Sequence, residues 1–182
     1  MKRTLVFVSS ILFFMSCLNA SLTGRISVSE ELAYQKYNKI WESPSNQYYS
    51  VESIASNPNI SCNIDYVFGD VFGIIAGTEF GYQKSIEDKN RFVTFPKNIN
   101  GTVSSGLVIY FKSLRISAEA LLRSSFQFTR NAWGSQVGGQ AGVGYTFPCG
   151  ICLDITYKYL SSYEMITSAL SVGIGYQFGG KK

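Results

Sequence analysis

Polar and apolar residues alternate one by one along most of this chain. From Leu114 to Phe128, Ile116, Ala118, Ala120, Leu122, Ser124, Phe126 and Phe128 share one face. Arg115, Ser117, Glu119, Arg123, Ser125 and Gln127 share the other, with Leu121 the exception. A period of two held this long predicts a strand whose faces meet two different solvents. Ile60 to Phe68, Val71 to Gln83, Thr102 to Phe111, Gln136 to Phe147, Ile151 to Leu160 and Thr167 to Phe178 repeat the pattern. An even barrel needs an eighth strand. Arg25 to Lys36 aligns Ile26, Val28, Leu32 and Tyr34, but sets Glu30 on the same apolar face. The alternative is Tyr48 to Ala55, which leaves Ser29 to Trp41 as a helix capped by Ser29; the first reading is preferred.

The connections alternate in length. Gly69-Asp70, Lys112-Ser113 and Pro148-Cys149-Gly150 read as tight turns. Lys84 to Gly101, Thr129 to Ser135, Ser161 to Ile166 and Tyr37 to Asn59 read as longer loops. Together these predict an all-β, antiparallel up-and-down transmembrane β-barrel of about eight strands. Aromatic positions support this. Tyr66, Phe68, Phe72, Phe111, Tyr145, Phe147, Tyr176 and Phe178 fall at the short-turn ends of the apolar faces. Phe80, Tyr82, Phe126, Phe128, Tyr157 and Tyr159 fall at the long-loop ends, with aliphatic residues between. Two aromatic girdles around an aliphatic band are what a bilayer selects.

The opposite faces carry Asp65, Glu79, Arg115, Glu119, Arg123, Asp154 and Lys158, with Gln127, Gln136 and Gln140. An eight-stranded bore is only wide enough for side chains to fill. Mixed charges there are expected to pair as a structural plug, because an unpaired buried charge is costly. A narrow ion path is the competing reading. Arg115, Glu119 and Arg123 on one strand suit a charge ladder.

Composition fits. The 182 residues are 15% aromatic and only 15% charged, against roughly 25% charged in ordinary soluble domains. Lys2 and Arg3 precede an apolar run from Leu5 to Met15, with small residues at Ala20 and Ser21. This predicts a signal peptide over residues 1–20 and a barrel domain over 21–182. Phe14-Met15-Ser16-Cys17 offers a rival, lipidation at Cys17. Without Lys2 and Arg3, 14 basic residues face 12 acidic ones, scattered rather than patched. That excludes a nucleic-acid footprint. Cys62, Cys149 and Cys152 form no disulfide framework, and Cys149-Gly-Ile-Cys152 sits in a turn rather than at a helix start.

The last strand, Leu170-x-Val172-x-Ile174-x-Tyr176-x-Phe178, resembles the C-terminal assembly signal of bacterial outer-membrane proteins. Gly179-Gly180-Lys181-Lys182 follow it, so Phe178 is not terminal. Residues 21–182 as a whole resemble small eight-stranded barrels of the OmpA, OmpX and OmpW type. The resemblance implies a bacterial outer-membrane location with surface-exposed loops and periplasmic termini. It implies outer-membrane lipid and the barrel-assembly machinery as partners, the latter through the C-terminal strand. Enzymes built on similar barrels depend on histidine, and this chain contains none. Ser125, Lys158 and the pair Glu79 with Glu119 have no motif around them. The chain is therefore read as non-enzymatic, with no cofactor, metal or catalytic site. Its expected role is a surface scaffold or interaction protein, meeting host or envelope partners through Tyr37 to Asn59 and Lys84 to Gly101. The alternative, on OmpW-like size, is a narrow conduit for small hydrophobic molecules, lined by Val67, Ile75, Val108, Leu121 and Leu160. A soluble lipoprotein tethered through Cys17 is a third reading.

Overall fold

In the computed structural model the described residues form ten strands. They are β1 (Ser21–Glu42), β2 (Gln47–Phe68), β3 (Phe72–Gln83), β4 (Ile86–Asp88), β5 (Val93–Phe95), β6 (Asn98–Phe111), β7 (Leu114–Gln127), β8 (Ala132–Thr146), β9 (Ile151–Ser161) and β10 (Met165–Gly179). The structure describes residues 20–42, 47–69, 71–83, 86–88, 93–95, 97–128 and 132–179. The signal segment 1–19, with Cys17, lies outside the described residues. Eight strands close into an antiparallel barrel in the order β1-β10-β9-β8-β7-β6-β3-β2, and β4 and β5 form a separate hairpin.

Closure is staggered. A row of paired residues starting at Glu31 runs through Ser171, Thr156, Gly142, Ser117, Val108, Gly73 and Val67. It returns to β1 at Ser21, ten positions from where it began. A stagger of this size goes with strands tilted about 40° from the axis and a bore that side chains can fill. Two-residue turns close β6 onto β7 and three- to four-residue turns close β2 onto β3 and β8 onto β9. Gly69 (φ 60°) and Gly150 (φ 88°) supply left-handed turn positions, but Lys112 takes φ 57° without being glycine.

Outward positions are aliphatic at mid-height and aromatic at both ends. Tyr66, Phe72, Phe111, Tyr145, Phe147, Tyr176 and Phe178 are exposed towards the short turns. Phe68 is half-buried between Tyr66 and Phe72, its ring 5.0 and 6.4 Å from theirs. Phe80, Tyr82, Phe128, Tyr157 and Tyr159 are exposed towards the long connections. Phe126 packs there against Phe128 and Trp133 at 5.4 and 5.0 Å.

Three expectations need correction. Arg25 to Lys36 and Tyr48 to Ala55 are not alternatives, since both are strand, within β1 and β2, and no helix forms over Ser29 to Trp41. The expected loop Tyr37 to Asn59 is therefore an extension of the β1–β2 hairpin, paired from Tyr37↔Val51 out to Glu42↔Gln47. The expected loop Lys84 to Gly101 contains β4, β5 and the start of β6. The physical reason is solvent. The inward positions Ser53, Asn57 and Asn59 line a polar bore, and the outward positions Glu52 and Ser56 are exposed, so this stretch carries no apolar alternation. Glu30 is explained in the same way. It points outward one position beyond the Val28↔Ile60↔Phe80 row, beside the Phe80 and Tyr82 girdle, where the Ser56 hydroxyl donates to it.

Candidate functional site

The inward side chains cross the bore in tiers. Nearest the short turns, Arg25 on β1 pairs with Asp154 on β9 and donates to Gln177 Oε1 at 2.9 Å. Beside it, Arg115 Nε on β7 meets Asp65 Oδ2 on β2 at 3.0 Å, and the Tyr110 hydroxyl donates to the same oxygen. The second tier, towards the long connections, is centred on Glu31, which is fully buried. Its carboxylate accepts from Arg123 Nη1 and Nη2 at 3.1 and 2.9 Å, Lys158 Nζ at 2.8 Å and Asn57 Nδ2 at 3.2 Å. Lys158 also donates to Glu79 at 2.6 Å, and Arg123 lies 3.5 Å from that carboxylate. A third tier is uncharged. Gln35 and Gln83 exchange amide hydrogen bonds at 3.1 Å, Gln136 donates to Thr167 at 3.2 Å, and Ala33, Ala55 and Ala169 pack together.

All seven residues expected in the lumen, Asp65, Glu79, Arg115, Glu119, Arg123, Asp154 and Lys158, face inward. Six join ion pairs, and Glu119 joins none among the described residues. The expected ladder along β7 does not form. Inward positions four apart on a strand are about 13 Å from one another, so Arg115 and Arg123 take partners from across the bore instead. Sequence reasoning missed Arg25, Glu31, Asn57 and Tyr110 as network members. The signal existed for two of them, because the alternation of Arg25 to Lys36 already sets 25 and 31 opposite Ile26 and Leu32.

The inward apolar residues do not form one lining. Val67, Ile75 and Val108 sit near the short turns, on rows adjoining Gly73 and Asp65. Leu121 and Leu160 lie further up, both beside Gly138. Charged residues stand among both groups: Asp65 is paired with Ile75, and Leu121 lies between Glu119 and Arg123 on β7. Of the cysteines, Cys149 is exposed in the β8–β9 turn, Cys62 faces outward and Cys152 is buried on the inner face; all three are free.

At the opposite end the barrel continues as a projecting ribbon. The β1–β10 ladder stops at Tyr37↔Met165 and the β2–β3 ladder at Asn59↔Gly81. Among the described residues the β1–β2 ladder alone goes on, to Glu42↔Gln47. An apolar outer belt, a charge-paired bore and a stagger of ten in eight strands decide the architecture. The fold is that of the small outer-membrane barrels. The attachment invasion locus protein Ail of Yersinia pestis superposes with a TM-score of 0.51 at 16% identity, over 86% of this chain and 98% of that one. A second structure of Ail, in complex with the heparin analogue sucrose octasulfate, matches with a TM-score of 0.50 at 15% identity, over 86% and 99%. OprG from Pseudomonas aeruginosa gives 0.52 at 9% identity, covering 88% and 97%. No protein-family model matches the sequence. No curated protein matches it either.

Proposed function

We propose that the chain, after loss of residues 1–20, is an integral outer-membrane protein. Its barrel serves as a rigid anchor for an external β-ribbon that contacts host or envelope partners. The observation that carries this reading is the β1–β2 ribbon, whose ladder runs on past the ends of the β1–β10 and β2–β3 ladders. From Gln47 to Pro58 the only backbone ladder that β2 makes among the described residues is the one with β1. An unpaired strand edge is a template for an added strand. The backbone register of the ribbon sets Ile40 opposite Tyr49 and Trp41 opposite Tyr48. Residues 36–59 hold two lysines and two glutamates, so a polyanion of the kind bound by Ail is not what their charge selects. An extended protein segment fits better. In this reading the short turns and both termini are periplasmic, and β10 is the strand presented to the barrel-assembly machinery. Eight of the nine described charged side chains of the bore are paired with one another, which suits a non-catalytic anchor.

The test removes residues 38–50 and closes the ribbon with Asn-Gly between Tyr37 and Val51. Cells of a non-adherent strain displaying the full chain should bind host-cell monolayers, and cells displaying the shortened chain should not. Equal binding by both, with equal surface levels and heat-modifiable gel mobility, sinks the proposal.

A further inference from the structure

The outer belt carries a single charge. Glu30 on β1 is exposed beside Phe80 and Tyr82, and among the described residues no other charged side chain faces outward at or between the girdles. Further up the same two strands, Lys36 and Glu52 pair with each other at 3.4 Å. Glu30 accepts a hydrogen bond from the Ser56 hydroxyl but makes no ion pair among the described residues. A carboxylate at the edge of hydrocarbon is costly without a counter-charge.

Glu30 also borders a groove on the outer face of the barrel. Val28, Ile60, Phe80, Tyr82, Val172 and Ile174 wall it, and it measures about 770 Å³. Clefts that hold small ligands run from roughly 300 to 1,000 Å³. The groove has a direction. Glu30, paired across to Pro58 and Val172, stands at its girdle end. Val28, paired to Ile174, stands nearer mid-height. Aromatic girdles mark the headgroup level and the aliphatic band the hydrocarbon. A charged end at the girdle and an apolar end below it match one lipid, headgroup to acyl chain. The sign of the charge then selects the headgroup. One fixed carboxylate favours a cation that can donate to it, because charge-assisted hydrogen bonds are the strong ones.

We propose that this groove holds one lipid with a primary-ammonium headgroup, whose nitrogen donates to Glu30 while an acyl chain lies along Val28, Ile60 and Ile174. The bound lipid neutralises the belt's one charge and covers the groove with hydrocarbon. The proposal rests on the barrel lying in a membrane and is independent of what the external ribbon contacts.

The mature chain is folded in dodecyl maltoside, with heat-modifiable gel mobility as the check on the barrel. It is then mixed with dioleoyl phosphatidylethanolamine or dioleoyl phosphatidylcholine. These share charge, phosphate and acyl chains, but the quaternary ammonium of the second has no N–H to donate. Native mass spectrometry counts the lipids retained. The wild type should keep one phosphatidylethanolamine with roughly tenfold preference over phosphatidylcholine. Glu30→Gln, at an exposed position, should fold and lose the preference. Val28→Trp, which fills the groove, should lower retention of both lipids. Equal retention of the two by the wild type overturns the proposal, as does a preference that survives Glu30→Gln or retention untouched by Val28→Trp. A dimer in place of the lipid adduct also overturns it, because a second barrel would then cover the groove. A chain with no heat-modifiable mobility takes the membrane reading down as well, a result distinct from a folded barrel without lipid preference.

Discussion

Glu31 shows what a single side chain does in this bore. It gathers Arg123, Lys158 and Asn57 from three other strands, so removing its charge leaves two cations to share Glu79. Glu31→Gln is expected to destabilise the barrel by about 3 kcal/mol, the scale of breaking a buried pair. A urea titration of the detergent-folded protein checks this. Lys112 is the opposite case. Its left-handed turn conformation costs a residue with a Cβ roughly 1 kcal/mol, so Lys112→Gly should raise the urea midpoint slightly. Gly138 marks a close approach. A Cβ there would stand 1.9 Å from the Tyr159 carbonyl oxygen, so Gly138→Ala should force β8 from β9 and cost more than about 2 kcal/mol. Gly134→Ala, with nothing within 4 Å of its Cβ, should be neutral.

Individual strands were legible in the sequence to the extent that two solvents wrote on them. β3, β6, β7, β9 and β10 lie between a polar bore and apolar surroundings, and their alternation predicted them to within a few residues. β2 was legible only from Ile60 onward. Its first half lies above the girdle, with polar residues on both sides, so the period of two vanished while the strand continued. β1 was obscured by Glu30, a carboxylate on the apolar face that makes sense only once the strand is known to run past the girdle. The upper ribbon makes ladder contacts with itself and not with β3 or β10. Removing residues 38–50 should therefore shift the barrel's urea midpoint by less than about 1 kcal/mol equivalent. A larger loss would mean that the ribbon helps hold the bore closed.

At the scale of the whole molecule, inner and outer faces were readable but partners were not. Nothing local to Arg123 or Lys158 points to Glu31, because their meeting depends on a stagger of ten that only the closed ring defines. Orientation has a direct test. Cys149 is exposed in a short turn and Cys152 is buried. A membrane-impermeant maleimide should label Cys149 only after the outer membrane is permeabilised, and Cys152 only after unfolding; labelling of Cys149 on intact cells would invert the orientation. The ring is closed by its first and last strands, with β10 paired to β1 from Thr23↔Gly179 to Tyr37↔Met165. A chain halted before Met165 would leave β1 and β9 each with an open edge in a medium that offers no substitute for the missing hydrogen bonds. No shorter barrel is available to it, since dropping one strand from an antiparallel ring puts two parallel neighbours at the seam. The architecture thus audits its own length: translation errors that truncate the chain yield no partly functional product, only an open sheet left for proteases.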